Sequence, residues 1–168
     1  MFYNFLKVNS KGHLVIGGCD AVELAERFGT PLYVIDEDVV RANSRIFYNT
    51  LKSYNHENEV VYAGKAFLTT AMCKIIQQEG LGLDVVSGGE LYTALKAGFP
   101  AEKIYFHGNN KSEEELTMAL EQGVGRIIID NWDELELLEI LAKKLNRKPE
   151  VYVRVTPGLE AHTHRYIM

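Results

Sequence analysis

From about residue 58 onward, short apolar runs rich in β-branched residues alternate with longer amphipathic runs. This rhythm limits what the chain can fold into. Strands are predicted over 60–63, 82–86, 103–107, 126–130 and 150–155, and helices over 67–79, 89–97, 113–122 and 132–145. Each strand-plus-helix unit takes about 20–25 residues, near the low end of what a crossover between parallel strands needs. Segments such as Arg126-Ile127-Ile128-Ile129-Asp130 are almost continuously apolar, the pattern of parallel strands covered on both faces. The last helix carries Leu135, Leu138, Leu141, Ala142 and Leu145 as one stripe at helical spacing.

The helix ends are marked as clearly. Ser112 followed by Glu115 reads as a capping box, and Ser87 and Asn131 read as N-caps with Glu90 and Glu134 three residues on. Gly80, Gly98 and Gly123 follow the last helical turns, where a left-handed residue closes a helix. Alternating strands and helices give a parallel α/β sheet. A near-constant unit length without a Gly-rich dinucleotide fingerprint favours a β/α barrel of the TIM type over an open doubly wound sheet. Such a barrel is incomplete over 168 residues and leaves raw strand edges, so a truncated chain is expected.

The opening differs. A hairpin is predicted around Lys11-Gly12, then Asp20 as the cap of a helix beginning at Ala21. Thr30 to Asp36 reads as a turn, a strand and an N-cap, followed by a helix from Glu37 to about Tyr54. With no strand partners nearby in sequence, residues 1–36 are read as part of a second β-domain, and 37–168 as the first half of the barrel.

Composition removes several function classes. With 46% hydrophobic and 24% charged residues, the chain is neither collagen-like, coiled-coil nor disordered. A net charge of -5 and a pI near 5.6 leave no basic face for nucleic acid. No run approaches the ~18 apolar residues of a membrane helix. The N-terminus lacks a signal pattern, and Cys19 and Cys73 form no CxxC. A reducing, cytoplasmic setting is expected.

In β/α folds the chemistry sits at the C-terminal ends of the strands. There this chain delivers Lys65, Asp84, Ser87-Gly88-Gly89, His107, Asp130 and Arg154. A lysine desolvated at a strand end can act as a nucleophile, for example as a Schiff base to pyridoxal phosphate (PLP); it can equally snorkel to solvent. Asp84, inside an apolar strand, needs a cation or donors, with Lys65 or Arg154 as candidates. Ser87-Gly88-Gly89 reads as an ordinary helix cap rather than an anion nest. His107 suits either a cofactor contact or a structural hydrogen bond. Arg154 reads as a buried cation that wants a carboxylate, phosphate or phenolate. His162 and His164 have a spacing that suits zinc, but no CxxC, HExxH or third ligand cluster accompanies them, so no metal site is expected.

Read in order, GTPLYVID, VVYAGKAF, GLGLDVVSGGEL, FHGNNKS, RIIIDN and VRVTPGLEAHTHRYI resemble the N-terminal part of the PLP-dependent decarboxylases built on the alanine-racemase-like barrel. HGNNKS and VTPG…AHTH point to the branch acting on meso-2,6-diaminopimelate. The resemblance implies PLP as cofactor, Lys65 as the lysine that carries it, and Ala63, Asp84, His107 and Arg154 around it. It implies decarboxylation of meso-2,6-diaminopimelate to L-lysine and CO2, the last step of lysine biosynthesis, by a homodimer with shared active sites. It also implies that the Gly-rich phosphate loop and the ring-stacking histidine lie in later segments. The 168 residues alone are then expected to be inactive. The alternatives are another basic amino-acid or polyamine decarboxylase of the same fold, or a non-catalytic PLP-binding homologue or fragment.

Overall fold

A five-stranded parallel sheet carries most of the molecule. Its strands are β4 (Val61–Ala63), β5 (Gly82–Val85), β6 (Ile104–Phe106), β7 (Arg126–Ile129) and β8 (Val151–Val153), numbered after three short strands that precede them. In the computed structural model, which describes residues 7–54 and 58–156, they lie side by side in chain order. Val61 lies opposite Gly82, Leu83 opposite Ile104, Tyr105 opposite Arg126 and Ile127 opposite Val151, so each partner sits 21, 21, 21 and 24 residues further on. Every new strand joins the same edge. The reversal of strand order that defines a doubly wound sheet does not occur among the described residues.

Four helices make the crossovers: α3 (Thr70–Gln78), α4 (Gly88–Lys96), α5 (Glu113–Gln122) and α6 (Trp132–Leu145), preceded in the chain by α1 (Ala21–Phe28) and α2 (Glu37–Tyr54). Side chains alternate across a strand, and the register makes the alternation continuous across the sheet. Leu83, Val85, Ile104, Phe106, Ile127 and Ile129 form one core with Cys73, Ile76, Leu91, Leu116, Leu138 and Leu141 of the helices. The other face carries Ala63, Asp84, Tyr105, Arg126, Ile128 and Tyr152. Among the described residues the helices cover one face of the sheet. Right-handed crossovers between strands added in one direction place all four helices on one side, and no described element covers the other.

The helix ends follow the sequence. Ser112 and Glu115 form the capping box, Ser87 accepts from the Glu90 N–H, and Asn131 accepts from the Glu134 N–H. Gly80, Gly98 and Gly123 take positive φ after their helices. Two ends were not legible: Thr69 caps α3, and Asn146 closes α6 in the left-handed region. The helix expected from residue 67 starts later because Gly64–Ala66 form a 3-10 turn.

The opening strands find partners in each other. β1 (Lys7–Val8), β2 (Leu14–Ile16) and β3 (Cys19–Asp20) make a small antiparallel sheet. Asn9 and His13 both reach the Asp20 carboxylate, which also accepts from the first N–H groups of α1. Desolvation raises the Asp20 pKa, but the bonds from His13, Asn9, Val22 and Glu23 outweigh it and hold the carboxyl at about 2. The strand expected within 30–36 does not form. No described strand lies beside it to take its backbone hydrogen bonds, and Leu32, Tyr33, Val34 and Ile35 are exposed. Next, α2 packs Val40 and Tyr48 on the core, and Arg41 and Arg45 both clasp Glu79 beyond the end of α3. No helix among the described residues is long and apolar enough to cross a membrane.

Candidate active site

Lys65 owes its place to a tight local fit. A Cβ on the buried Gly64 would lie 2.7 Å from the Asp84 carbonyl oxygen, so only glycine lets the turn press against the end of β5. At the other end of the turn, the Tyr62 hydroxyl donates to the Phe67 carbonyl at 2.9 Å. Lys65 follows Ala63 by two residues, at the C-terminal end of the sheet and past the uncovered face. Its side chain is exposed, so the desolvated lysine considered from sequence is not observed. Among the described residues, no packed layer lies over that face to remove it from water.

Asp84 and His107 stand next in the row. Asp84 Oδ1 lies 3.7 Å from His107 Nε2, beyond hydrogen-bond reach. It has no hydrogen-bond partner among the described residues although it is buried. Burial pushes the Asp84 carboxyl up, opposed by the positive charges of His107 and Lys65 and reinforced by Glu90. The backbone N–H of His107 donates to the Val85 carbonyl at 2.8 Å, which continues the β5–β6 ladder.

Arg154 corrects an expectation. It is an exposed arginine whose Nη1 donates to Asp130 Oδ1 at 2.8 Å, not a buried cation, and its partner is not Asp84. It lies just past β8, the edge strand, where no described neighbour covers it. The strand expected over 150–155 shortens to Val151–Val153 for the same reason, although the Arg154 N–H still donates to the Ile129 carbonyl. Asp130 directly follows the apolar run of β7, whereas Asp84 lies inside β5.

Backbone N–H groups after β5 are met by carboxylates of the chain itself. The Gly88 N–H donates to Glu115 Oε1 at 2.5 Å, and Glu90 accepts from the Val86 N–H at 2.7 Å. The chain's own carboxylates fill the place, as the cap reading expected. No group of three or more His, Cys, Asp or Glu that could hold a metal ion exists among the described residues, and His162 and His164 lie outside them.

An exposed amine, a buried carboxylate oxygen without a partner and an imidazole thus gather at one end of one sheet face, with a guanidinium further along the rim. A comparison of the sequence with family models matches residues 39–168 to the pyridoxal binding domain of the pyridoxal-dependent decarboxylases. The chain belongs to this family. It is 55% identical over 167 residues to a diaminopimelate decarboxylase of Bacillus methanolicus, covering 99% of this chain and 39% of that protein. A diaminopimelate decarboxylase of Bacillus subtilis (strain 168) is also 55% identical, over 159 residues, 95% of this chain and 36% of that protein. Among solved structures, diaminopimelate decarboxylase from M. jannaschii in complex with L-lysine superposes with a TM-score of 0.83 at 36% identity, over 94% of this chain and 37% of that one. The chain spans less than two-fifths of the length of the curated relatives it matches.

Proposed function

We propose that this chain is the N-terminal part of a PLP-dependent enzyme that decarboxylates meso-2,6-diaminopimelate to L-lysine and CO2. The observation that carries the reading is the shared location of Lys65, Asp84 and His107 at the C-terminal end of the sheet, with Asp84 Oδ1 left without a hydrogen-bond partner among the described residues. Likeness to relatives named for this reaction supports it. The strand order supports closure of the sheet into a β/α barrel, because each unit advances in one direction. Residues 37–168 are then its first half, and residues 1–36, with their separate small sheet, part of a β-domain. The family match beginning at residue 39 agrees with that division.

The donor set fits the cofactor. Lys65 presents a primary amine that can condense with an aldehyde. Asp84 and His107 lie close enough for a modest movement to bring a proton between them. Arg154 offers donors to an anionic oxygen, and the small side chain of Ala63 leaves room beside the lysine turn. When bound, PLP supplies an electron sink for the carbanion that loss of CO2 leaves. The task of this chain's residues would be orientation: they would hold the substrate with the carboxylate to be lost in a reactive position and keep water from the reacting carbon. The reading includes a cytoplasmic homodimer with shared sites, and the free thiols Cys19 and Cys73 agree with a reducing compartment.

The test uses the protein as its source makes it. Borohydride reduction followed by peptide mass spectrometry is expected to find the pyridoxyl group on Lys65. CO2 release is expected from meso-diaminopimelate in preference to ornithine, lysine or arginine. Reduction without a modified Lys65, or a preference for a polyamine precursor, overturns the assignment.

A further inference from the structure

Among the described residues, the most deeply buried charged side chains are those of Lys111 and Glu134. Their side chains are 1% and 4% exposed, with Lys111 Nζ 2.8 Å from Glu134 Oε1. The ammonium also donates to the Gly108 carbonyl at 2.6 Å and to the Ile128 carbonyl at 2.8 Å. One side chain therefore ties the loop after β6 to the backbone of β7 and to the first turn of α6. The loop is pinned from its other side as well. Gly108 has φ +115°, and a Cβ there would meet the Val86 carbonyl oxygen at 2.8 Å. His107 is the first residue of this loop.

Stability alone is a poor account of the pair. Two buried charges lose their hydration, and replacing such a pair with apolar side chains of similar size is often neutral or stabilising. The geometry at Glu134 deepens the problem: its contact with Nζ is close in distance but poorly angled for a hydrogen bond, and Oε2 is buried with no partner among the described residues. What the pair does supply is a fixed position for the Gly108 carbonyl, one residue from an imidazole that faces Asp84.

We propose that Lys111, held by Glu134, is a positioning residue that sets the His107–Asn110 loop and so places the His107 ring against Asp84 and the reacting substrate. The proposal rests on the decarboxylase reading for its link to turnover, but not for the position of the loop. Lys111 touches no reacting atom; its effect passes through the backbone of Gly108.

The experiment separates position from stability in the protein as its source makes it. Lys111→Met leaves Glu134 buried and unpaired, so its melting temperature is expected to fall together with its activity. Adding Glu134→Met removes the stranded charge. The melting temperature of the double variant is expected to return close to that of the parent, while kcat stays about 10²-fold down, the scale of a 1 Å misplacement, with KM changed far less. In the apoprotein of the double variant, the His107 ring resonance, assigned with His107→Gln, is expected to shift. Recovery of kcat to within about twofold of the parent overturns the proposal, as does an unmoved His107 resonance. A double variant that does not fold also overturns it, since the pair is then part of the fold. Two controls keep the two readings apart: persistent turnover of Lys65→Ala removes the catalytic role of Lys65, absence of CO2 release from the parent removes the decarboxylase reading, and in either case the resonance still decides the loop.

Discussion

The two faces of the parallel sheet are made by the same strands, one residue out of phase, and share almost nothing. Towards the helices, Leu83, Val85, Ile104, Phe106 and Ile127 are dry and close-packed. On the opposite face Ala63 and Ile128 stand among the carboxylate of Asp84, the guanidinium of Arg126 and the phenols of Tyr105 and Tyr152. At its N-terminal end that face is tied up internally. The Tyr105 hydroxyl donates to Glu59 at 2.5 Å and Arg126 pairs with Glu150 at 2.7 Å. Burial pushes the Tyr105 phenol up to about 12, helped by its bond to Glu59. At its C-terminal end Asp84 Oδ1 has no hydrogen-bond partner among the described residues and Lys65 is exposed. One face holds the molecule together, and one end of the other is available for chemistry.

Four substitutions can break or sharpen that contrast. Lys65→Ala is expected to abolish turnover and leave the melting temperature nearly unchanged, because the side chain is exposed; steady-state CO2 release and a thermal scan read both. Phe106→Ala, on the helix-facing side at 0% exposure, is expected to cost about 3–5 kcal/mol by urea unfolding. If these two variants behaved alike, the division of labour between the faces would be lost. Gly64→Ala comes next. Its methyl group meets a backbone carbonyl, so a loss of about 1–3 kcal/mol is expected, together with a fall in turnover because the Lys65 turn must lift.

Asp84→Asn is the smallest and depends on pH. The Asp84 pKa is raised in the folded state, chiefly by burial. Its ionised form therefore costs stability above the folded-state pKa, and the cost disappears below the unfolded value of about 3.9, where both states are protonated. The variant is expected to melt higher than the parent at pH 7 and level with it below pH 3.9, measured on the apoprotein.

The contrast between the faces also explains how much could be read in advance. Strands and helices were legible because apolar alternation and caps such as Ser112, Ser87 and Asn131 are written locally. Lys65, Asp84 and His107 were legible as a set because strand ends in a β/α unit converge in space. Burial was less legible. Arg154 in an apolar run suggested a buried cation, but exposure depends on which strand lies next door, and β8 is an edge. Lys111 carried no signal either way. It stands among Asn109, Asn110 and Ser112, and no local pattern announces that the carbonyl of Ile128 and the carboxylate of Glu134 close over it. Residues 30–36 form no strand among the described residues, because an extended sequence without a neighbour is not a ladder.

The strictly consecutive strand order has a consequence in time. Each pairing in the large sheet joins strands 21 to 24 residues apart, a separation that a ribosome adding about 5–20 residues per second covers in roughly 1–5 s. Parallel sheets are slow to form when their strands are far apart in the chain, because the entropy of closing the loop comes before any contact rewards it. Here each newly made strand finds its partner already in place, and its own free edge waits only for the unit that follows. The sheet can grow in the direction of synthesis, one repeat at a time.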